Sequence, residues 1–343
     1  MNAGKVLITG VCGTIGKAIL STLSVNQKFK VIGLDINETA LFDLDREYAS
    51  MNNVEFQLCD IGDTKAVSNA CESVDTVYHT AAFKHVGLCE RAPMTAIRNN
   101  ILGLQSVIDA SVSAGVSQLI FTSSDKAVNP TNVMGTSKLM GERLMTAAST
   151  VFKEQDTKFV SVRFGNILGS SGSVVPVFED QISKGGPVTV TNPDMTRFVM
   201  SSNDAVSLLI ESASLARTGD VVVTKMPSIR VGDLATIMID ELAPRYGFSI
   251  SDIEVVEIGS RPGEKFFEEL INDEECRRTI ELEQYFIIRP AFSDHDENLI
   301  KTYPGLVAKS VGVPYKSNTQ QCLSPEKLRR YLLDGKIITG QSL

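Results

Sequence analysis

The sequence predicts an α/β protein built on a doubly wound parallel sheet, completed by a smaller C-terminal region that shapes a ligand site. Three observations predict it. A strand, a glycine turn and a helix follow one another at the amino terminus; apolar strand-like runs then alternate with helical stretches as far as Arg163; and from Gly165 the composition shifts to Gly, Ser, Pro and Thr. With 343 residues, 43% of them hydrophobic and 22% charged, the chain has the length of about two domains and enough apolar residues to bury a sizeable core.

The first strand is Lys5-Val-Leu-Ile-Thr9. Gly10-Val-Cys-Gly13-Thr14-Ile15-Gly16 turns it into a helix whose apolar positions are Ala18, Ile19, Leu20 and Leu23. Glycines there permit a tight turn and let helix-terminal N–H groups approach a pyrophosphate. The second strand, Phe29 to Asp35, ends in an acid about 20 residues past the glycines, where a ribose diol would be held. A carboxylate repels a 2′-phosphate, so NAD is expected in preference to NADP. The plainer role for Asp35 is a cap on the next helix. Val54 to Asp60 reads as a third strand, with Asp60 and Ile61 set to meet an adenine edge. Val74 to His79 reads as a fourth, followed by Thr80, Ala81 and Ala82, small enough to admit a cofactor.

Leu119-Ile-Phe-Thr122 is a buried strand, and Met134 through Leu144 the helix after it. Between them lie Ser124, Asp125 and Lys126, at the carboxyl end of a strand, where open α/β sheets bind ligands. Met134 and Lys138 are spaced i, i+4 and share a helix face. A thioether cannot exchange a proton, and Asp125 and Lys126 are the adjacent candidates for proton transfer. The plain alternative makes Asp125 and Lys126 an exposed loop pair and Met134 a core residue. Past the strand Lys158 to Arg163, the runs Gly165-Asn166, Gly169 to Pro176 and Gly185-Gly-Pro187 suggest short ligand-shaping elements without an independent core. Leu323 to Leu332 reads as a terminal helix capped by Ser324.

A net charge of −8 without a Lys/Arg run argues against nucleic acid or an anionic membrane as partner. No apolar stretch of about 18 residues occurs, so neither a signal peptide nor a membrane span is expected, and the location expected is cytoplasmic. Six cysteines without a Cys-x-x-Cys pair, and only three histidines, argue against a metal site or a disulfide framework. Cys12 and Cys59 read as small buried residues near the cofactor.

The glycine motif, His79-Thr-Ala-Ala-Phe-Lys-His-Val86, Ser124-Asp-Lys-Ala-Val-Asn-Pro-Thr-Asn-Val-Met134, Val162-Arg-Phe-Gly-Asn-Ile-Leu-Gly-Ser170, Thr191-Asn-Pro-Asp-Met-Thr-Arg-Phe198 and Arg261-Pro-Gly-Glu-Lys265 occur in this order. Together they resemble the UDP-N-acetylglucosamine 4,6-dehydratases, the polysaccharide-biosynthesis branch of the extended short-chain dehydrogenase/reductase superfamily. The resemblance implies an NAD-binding Rossmann domain over residues 1–164, carrying the catalytic residues, and a UDP-sugar-binding region over 165–343, interleaved with the core. It assigns cofactor contacts to Gly10, Gly13, Thr14, Ile15, Gly16, Asp35, Asp60, Ile61, Ala81, Ala82, Asn99 and Lys138. Arg197 and Arg261 would meet the nucleotide and diphosphate, Asn166, Ser173 and Glu264 would add hydrogen bonds, and Lys84 and His85 would line the sugar end. Superfamily members often pair through helices, so a homo-oligomer is expected.

The implied reaction is NAD-dependent. C4 of the sugar is oxidised, Lys126 removes the C5 proton if Lys138 or desolvation depresses its pKa, and Asp125, held protonated, gives a proton to the departing 6-hydroxyl. The hydride then returns to C6. Ser124 would bond the C4 oxygen, and Lys138 would hold the nicotinamide ribose. The chain departs from the pattern at Met134, which stands in the superfamily's Tyr place and leaves Asp125 or an ordered water for the C4 hydroxyl proton. It departs also at Ser171, where many relatives have arginine, and at Phe267, where His or Tyr is common. The membrane region of the larger members is absent, which suggests a soluble form. Two other functions compete: a UDP-sugar 4-epimerase or 5-epimerising dehydratase, which shares the first hydride step, and a nucleotide-sensing protein that has lost its chemistry, as Met134 would allow.

Overall fold

The computed structural model describes residues 4–260, 262–292 and 297–338. The chain divides into two compact units, and the division is discontinuous. The first takes in residues up to Phe164 together with Ala205–Lys225 and Ile271–Pro314; the second takes in Gly165–Asp204, Met226–Leu270 and the residues from Tyr315. The region from 165 onward thus returns twice to the first unit.

Six parallel strands organise that unit: β1 (Gly4–Thr9), β2 (Phe29–Asp35), β3 (Val54–Leu58), β4 (Thr76–His79), β5 (Gln118–Ser124) and β6 (Lys158–Phe164). They lie in the order β3-β2-β1-β4-β5-β6. This is the Rossmann-type order, and its direction reverses between β1 and β4, where such sheets bind ligands. Burial on both faces explains why the central strands read as continuous apolar runs: Val6, Leu7, Ile8, Leu119, Ile120 and Phe121 are all buried. Val221–Thr224 pairs parallel with β6, and Tyr285–Ile288, Thr279–Leu282 and Leu306–Ala308 add three antiparallel strands, for ten in all.

The helices are α1 (Thr14–Ser24), α2 (Glu38–Glu47), α3 (Thr64–Ala70), α4 (Val86–Arg91), α5 (Pro93–Ala96), α6 (Gly103–Ser113) and α7 (Val133–Val151). A π-helical segment, Ile97–Leu102, joins α5 to α6. Short polar side chains start several of them: Asn37, Asp63 and Asn132 each accept from first-turn amides of α2, α3 and α7.

The second unit has its own apolar core, contrary to the sequence expectation. Val175, Phe178 and Ile182 of α8 (Val174–Ser183) pack with Leu234, Ile237, Met238 and Leu242 and with Leu328 and Leu332 of the terminal helix. The Gly- and Ser-rich stretch supplies only part of that core, so it could not be read locally. Ser324 caps the terminal helix Pro325–Asp334 by accepting from the Lys327 amide at 3.4 Å.

One buried carboxylate links the first unit's stability to pH. Asp220, 2% exposed, accepts from the Arg217 amide at 2.8 Å and the Tyr303 hydroxyl at 2.7 Å, and burial outweighs both in raising its pKa to about 6. Its unfolded value is about 4, so between these values the native state binds more protons and stability falls as pH rises. The cost above pH 6 is on the order of 2 kcal/mol. Asp220→Asn keeps an oxygen acceptor for both donors. In paired urea titrations it should gain on the wild type between pH 4.5 and pH 7; an equal difference at the two pH values would contradict the linkage.

Candidate active site

The glycine turn is set by contacts on both sides. Gly10 adopts φ +72°, and a Cβ there would stand 2.7 Å from the Ala81 backbone; a Cβ at Gly16 would stand 2.3 Å from the Gly10 carbonyl oxygen. The turn therefore lies directly against the end of β4 and the start of α1. Gly13 is the N-cap of α1 and no side-chain cap bond occurs. The helix thus begins with the amides of Thr14, Ile15 and Gly16 uncapped by any side chain, an arrangement suited to phosphate oxygens.

Asp35 is turned back toward this turn. Its carboxylate accepts from the Cys12 amide at 2.9 Å and from the Asn37 amide at 2.9 Å. Because Asn37, accepting from Ala40 at 3.1 Å, is the cap of α2, the helix-cap role for Asp35 is set aside. Burial first, and then Asp35, push the Cys12 thiol up to about 12, so it stays protonated at neutral pH. Asp60 is exposed and accepts from the Gly62 amide at 2.8 Å, whereas Ile61 is buried in the core. Lys84 and His85 follow β4 in an exposed stretch that leads into α4.

Asn99 lies in the π-helical segment, a geometry that often marks functional positions. Its amide donates to Asn100 at 3.0 Å. Asn100, 3% exposed, is the residue the sequence reading missed. It accepts from the Phe83 amide at 2.8 Å and donates to the Phe83 carbonyl at 3.0 Å and to the Ser137 hydroxyl at 2.9 Å. It thereby ties the post-β4 stretch to α7 one residue before Lys138.

Lys138 is buried, donates to the Thr122 carbonyl at 2.8 Å, and lies 4.9 Å above the Phe121 ring. Burial lowers its pKa to about 8, and Glu142 opposes part of that fall. His79, also buried, meets the Thr9 hydroxyl at 2.8 Å through Nδ1 and stacks on Phe121; burial and then Lys138 push its pKa down to about 3. It is neutral at physiological pH.

At the end of β5 the three expected residues converge. Asp125, 2% exposed, accepts from the Ser124 hydroxyl at 2.6 Å, the Lys126 amide at 2.8 Å and the Lys126 ammonium at 3.1 Å. This is a partly buried ion pair, so the exposed-loop alternative fails. Asp125 stands as acceptor to all three of these donors, and the Lys126 side chain, 31% exposed, lies against that carboxylate. Ser124 likewise faces Asp125. Helix α7 fixes this loop closely, since a Cβ on Gly135 would stand 2.2 Å from the Lys126 carbonyl oxygen. Met134 has the structural role the sequence left open: it is 4% exposed and packs with Cys89 and Ala96.

In the second unit Asn166 donates to Glu268 at 2.6 Å and to the Phe198 carbonyl at 3.1 Å. Arg197 donates to the Thr196 carbonyl at 2.8 Å and pairs with Glu264 at 3.4 Å and Glu268 at 3.5 Å. The guanidinium expected to meet phosphate is thus held among carboxylates, and Glu264 also accepts from Thr191 at 3.4 Å. Ser173 is the N-cap of α8, and its buried hydroxyl makes no hydrogen bond. Arg261 lies outside the described residues.

A Rossmann-type sheet with a bare glycine turn at its reversal, with Asp125 and Lys126 at the end of β5 and Lys138 on the helix that follows, accords with the class that the comparisons show, the nucleotide-sugar dehydratases and epimerases of the extended short-chain dehydrogenase/reductases. The chain belongs to the polysaccharide biosynthesis protein family, whose profile matches residues 6–290. It is 43% identical over 327 residues to an uncharacterized membrane protein of Methanocaldococcus jannaschii, covering 95% of this chain and 94% of that one. It is 35% identical over 335 residues to the UDP-N-acetylglucosamine 4,6-dehydratase (inverting) of Campylobacter jejuni, covering 95% and 96%, and 33% identical over 335 residues to the UDP-glucose 4-epimerase of Rickettsia canadensis, covering 95% and 94%. The X-ray structure of Pen from Bacillus thuringiensis superposes with a TM-score of 0.91 at 38% identity over 98% of this chain and 99% of that one. Among the described residues no helix is long and apolar enough to cross a membrane.

Proposed function

We propose that the protein converts a UDP-N-acetylhexosamine, UDP-N-acetylglucosamine foremost, into a UDP-4-keto-6-deoxy sugar, with NAD as its resident cofactor. One observation carries the reading: a second proton-transfer pair, Asp125 and Lys126 at 3.1 Å, in addition to Lys138. Oxidation and reduction at C4 alone have no need of it. Elimination across C5 and C6 needs both a base and an acid.

The turn at Gly10, the uncapped start of α1 and the inward carboxylate of Asp35 fit a dinucleotide with a free ribose diol. Bound there, NAD supplies a hydride acceptor for C4 and a donor for C6, so no net oxidation results. Lys138 holds the nicotinamide ribose. Oxidation at C4 releases the hydroxyl proton to an ordered water; with C4 at the ketone level the C5 proton is acidified, Lys126 removes it while Asp125 protonates the leaving 6-hydroxyl, and the Lys126 ammonium returns a proton to C5 as C6 is reduced. Transfer of one proton from the Lys126 ammonium to Asp125 prepares both groups together. Ser124, already bonded to Asp125, orients that carboxyl group. In the second unit Asn166, Ser173 and Arg197 take the UDP moiety, with phosphate oxygens displacing Glu264 from the guanidinium.

Incubation with UDP-N-acetylglucosamine should yield a product lighter by one water, carrying solvent deuterium at C5. The named epimerase relative gives the competing reading a specific basis, and it forecasts an isomer of unchanged mass. Neither change would leave a binding protein.

Cofactor choice is tested separately. Asp35→Ser should narrow the preference for NAD over NADP, because the 2′-phosphate otherwise meets a like charge worth on the order of 1 to 4 kcal/mol, roughly a tenfold preference or more. Calorimetric titration with each dinucleotide reads this directly. Equal affinities in the unmodified protein would remove Asp35 from the cofactor site.

A further inference from the structure

Behind the catalytic loop lies an ionic network that the reaction as described does not use. Arg163 on β6 is 1% exposed and has its guanidinium saturated on two sides: toward Glu142 at 2.8 and 2.7 Å, and toward Glu275 at 2.8 and 2.7 Å. Glu142 is one helical turn beyond Lys138 on α7, and its Oε1 also accepts from the Ser123 hydroxyl at 2.6 Å. Ser123 immediately precedes Ser124. The far carboxylate, Glu275, accepts from the Asn272 amide at 3.2 Å, and the Asn272 side chain donates to Asn129 at 3.4 Å. Asn129 belongs to the loop between Lys126 and α7. The loop is therefore braced at its start through Ser123 and Glu142, and near its end through Asn272 and Asn129, by one network centred on Arg163.

We propose that Glu142 is a positioning residue: held by Arg163, which Glu275 holds in turn, it fixes the end of β5 through Ser123 and ties α7, the helix that carries Lys138, to β5 and β6. A bond that only stabilised the fold would not need to reach Ser123, and a carboxylate would not need to sit i+4 from Lys138, where unlike charges favour each other. Other groups facing Lys138 cannot do this. From β5 come the neutral Thr122 carbonyl and the Phe121 ring, from β4 the neutral His79, and Arg163 of β6 is a cation like Lys138 itself.

The catalytic part of this inference rests on the proposed dehydration, so the test has two independent arms. The first follows NAD affinity against pH, without any sugar, in wild type and Glu142→Gln. Loss of the carboxylate should move the alkaline loss of affinity to lower pH by roughly one unit, as removal of a nearby opposite charge does. The second measures turnover of UDP-N-acetylglucosamine per NAD-loaded molecule in Glu142→Gln and in Ser123→Ala, which leaves the ionic network whole and should fold as the wild type does. Each should lose about tenfold or more in kcat, the loss expected when a reacting group is misplaced, with KM within about threefold. An unshifted NAD profile, or a Ser123→Ala enzyme that turns over at the wild-type rate, overturns the positioning role. Absence of turnover in the wild type would fall on the dehydration reading alone, with the NAD profile still deciding on Glu142.

Discussion

Lys126→Ala is expected to lower dehydration of UDP-N-acetylglucosamine by a hundredfold to ten-thousandfold while NAD still binds. Positioned acid–base groups contribute on this scale. Lys126 belongs to the loop after β5, and its ammonium lies 3.1 Å from Asp125, whereas the cofactor side is served by Lys138, buried against Thr122 and Phe121. The two lysines are thus separable by mutation. Exchange of the C5 proton with deuterated solvent should vanish with turnover, because the same amine removes that proton. The fold should survive: Lys126 is partly exposed, and the buried Asp125 retains its bonds from Ser124 and from the amide of residue 126. A Lys126→Ala enzyme with near wild-type turnover would exclude this lysine from the chemistry, and one unable to bind NAD would show that the two lysines are not separable.

The parts of this molecule legible in the sequence are those governed by local rules. The strands β1, β2, β4, β5 and β6 show as apolar runs because both sheet faces are covered there, and Gly10 and Gly16 stand out because a turn pressed against Ala81 and folded onto the Gly10 carbonyl requires them. The Ser124-Asp125-Lys126 cluster was visible because chain order alone brings it to a strand end. Its charge state was not. Whether Asp125 is an acid or an acceptor depends on where the Lys126 side chain goes, and no spacing encodes that.

What escaped the reading involves partners far apart in the chain. Glu275 meets Arg163 across 112 positions, and Thr279–Leu282 and Tyr285–Ile288 join a sheet whose parallel strands end at residue 224. Neither is an edge strand: Tyr285–Ile288 lies between Val221–Thr224 and Thr279–Leu282, which is itself covered by Leu306–Ala308, and nothing in the local sequence announces an antiparallel pairing with so distant a partner. Asn100 looked like any helical asparagine; the signal available was its place beside Asn99, in a helix that carries an extra residue per turn. The core of the second unit was hidden for the same reason, because Val175 and Phe178 find their partners among residues 229 to 338.

The largest stability effect should come from the centre of the buried network. Arg163→Met would leave Glu142 and Glu275, 3% and 2% exposed, without the guanidinium that satisfies four of their hydrogen bonds. Removing one partner of a buried pair costs about 3 to 5 kcal/mol, and here one cation serves two carboxylates. Against a total stability of about 5 to 15 kcal/mol this is a large share, and a fall in Tm on the order of 10 °C follows. The sign of its pH dependence is fixed. Burial alone would raise the pKa of Glu275, but Arg163, with help from the Asn272 amide and Arg278, more than compensates and holds it below the usual carboxylate value. That stabilisation is therefore present above the unfolded pKa and lost as pH falls through the folded one. The gap between wild type and Arg163→Met should accordingly widen from pH 4 to pH 7. Adding Glu142→Gln and Glu275→Gln to Arg163→Met should recover most of the loss, because the penalty lies in the stranded charges rather than in the missing ion pair. Thermal melts of the single and triple variants at the two pH values decide it. A triple variant no more stable than the single one would place the cost in packing around the guanidinium stem instead.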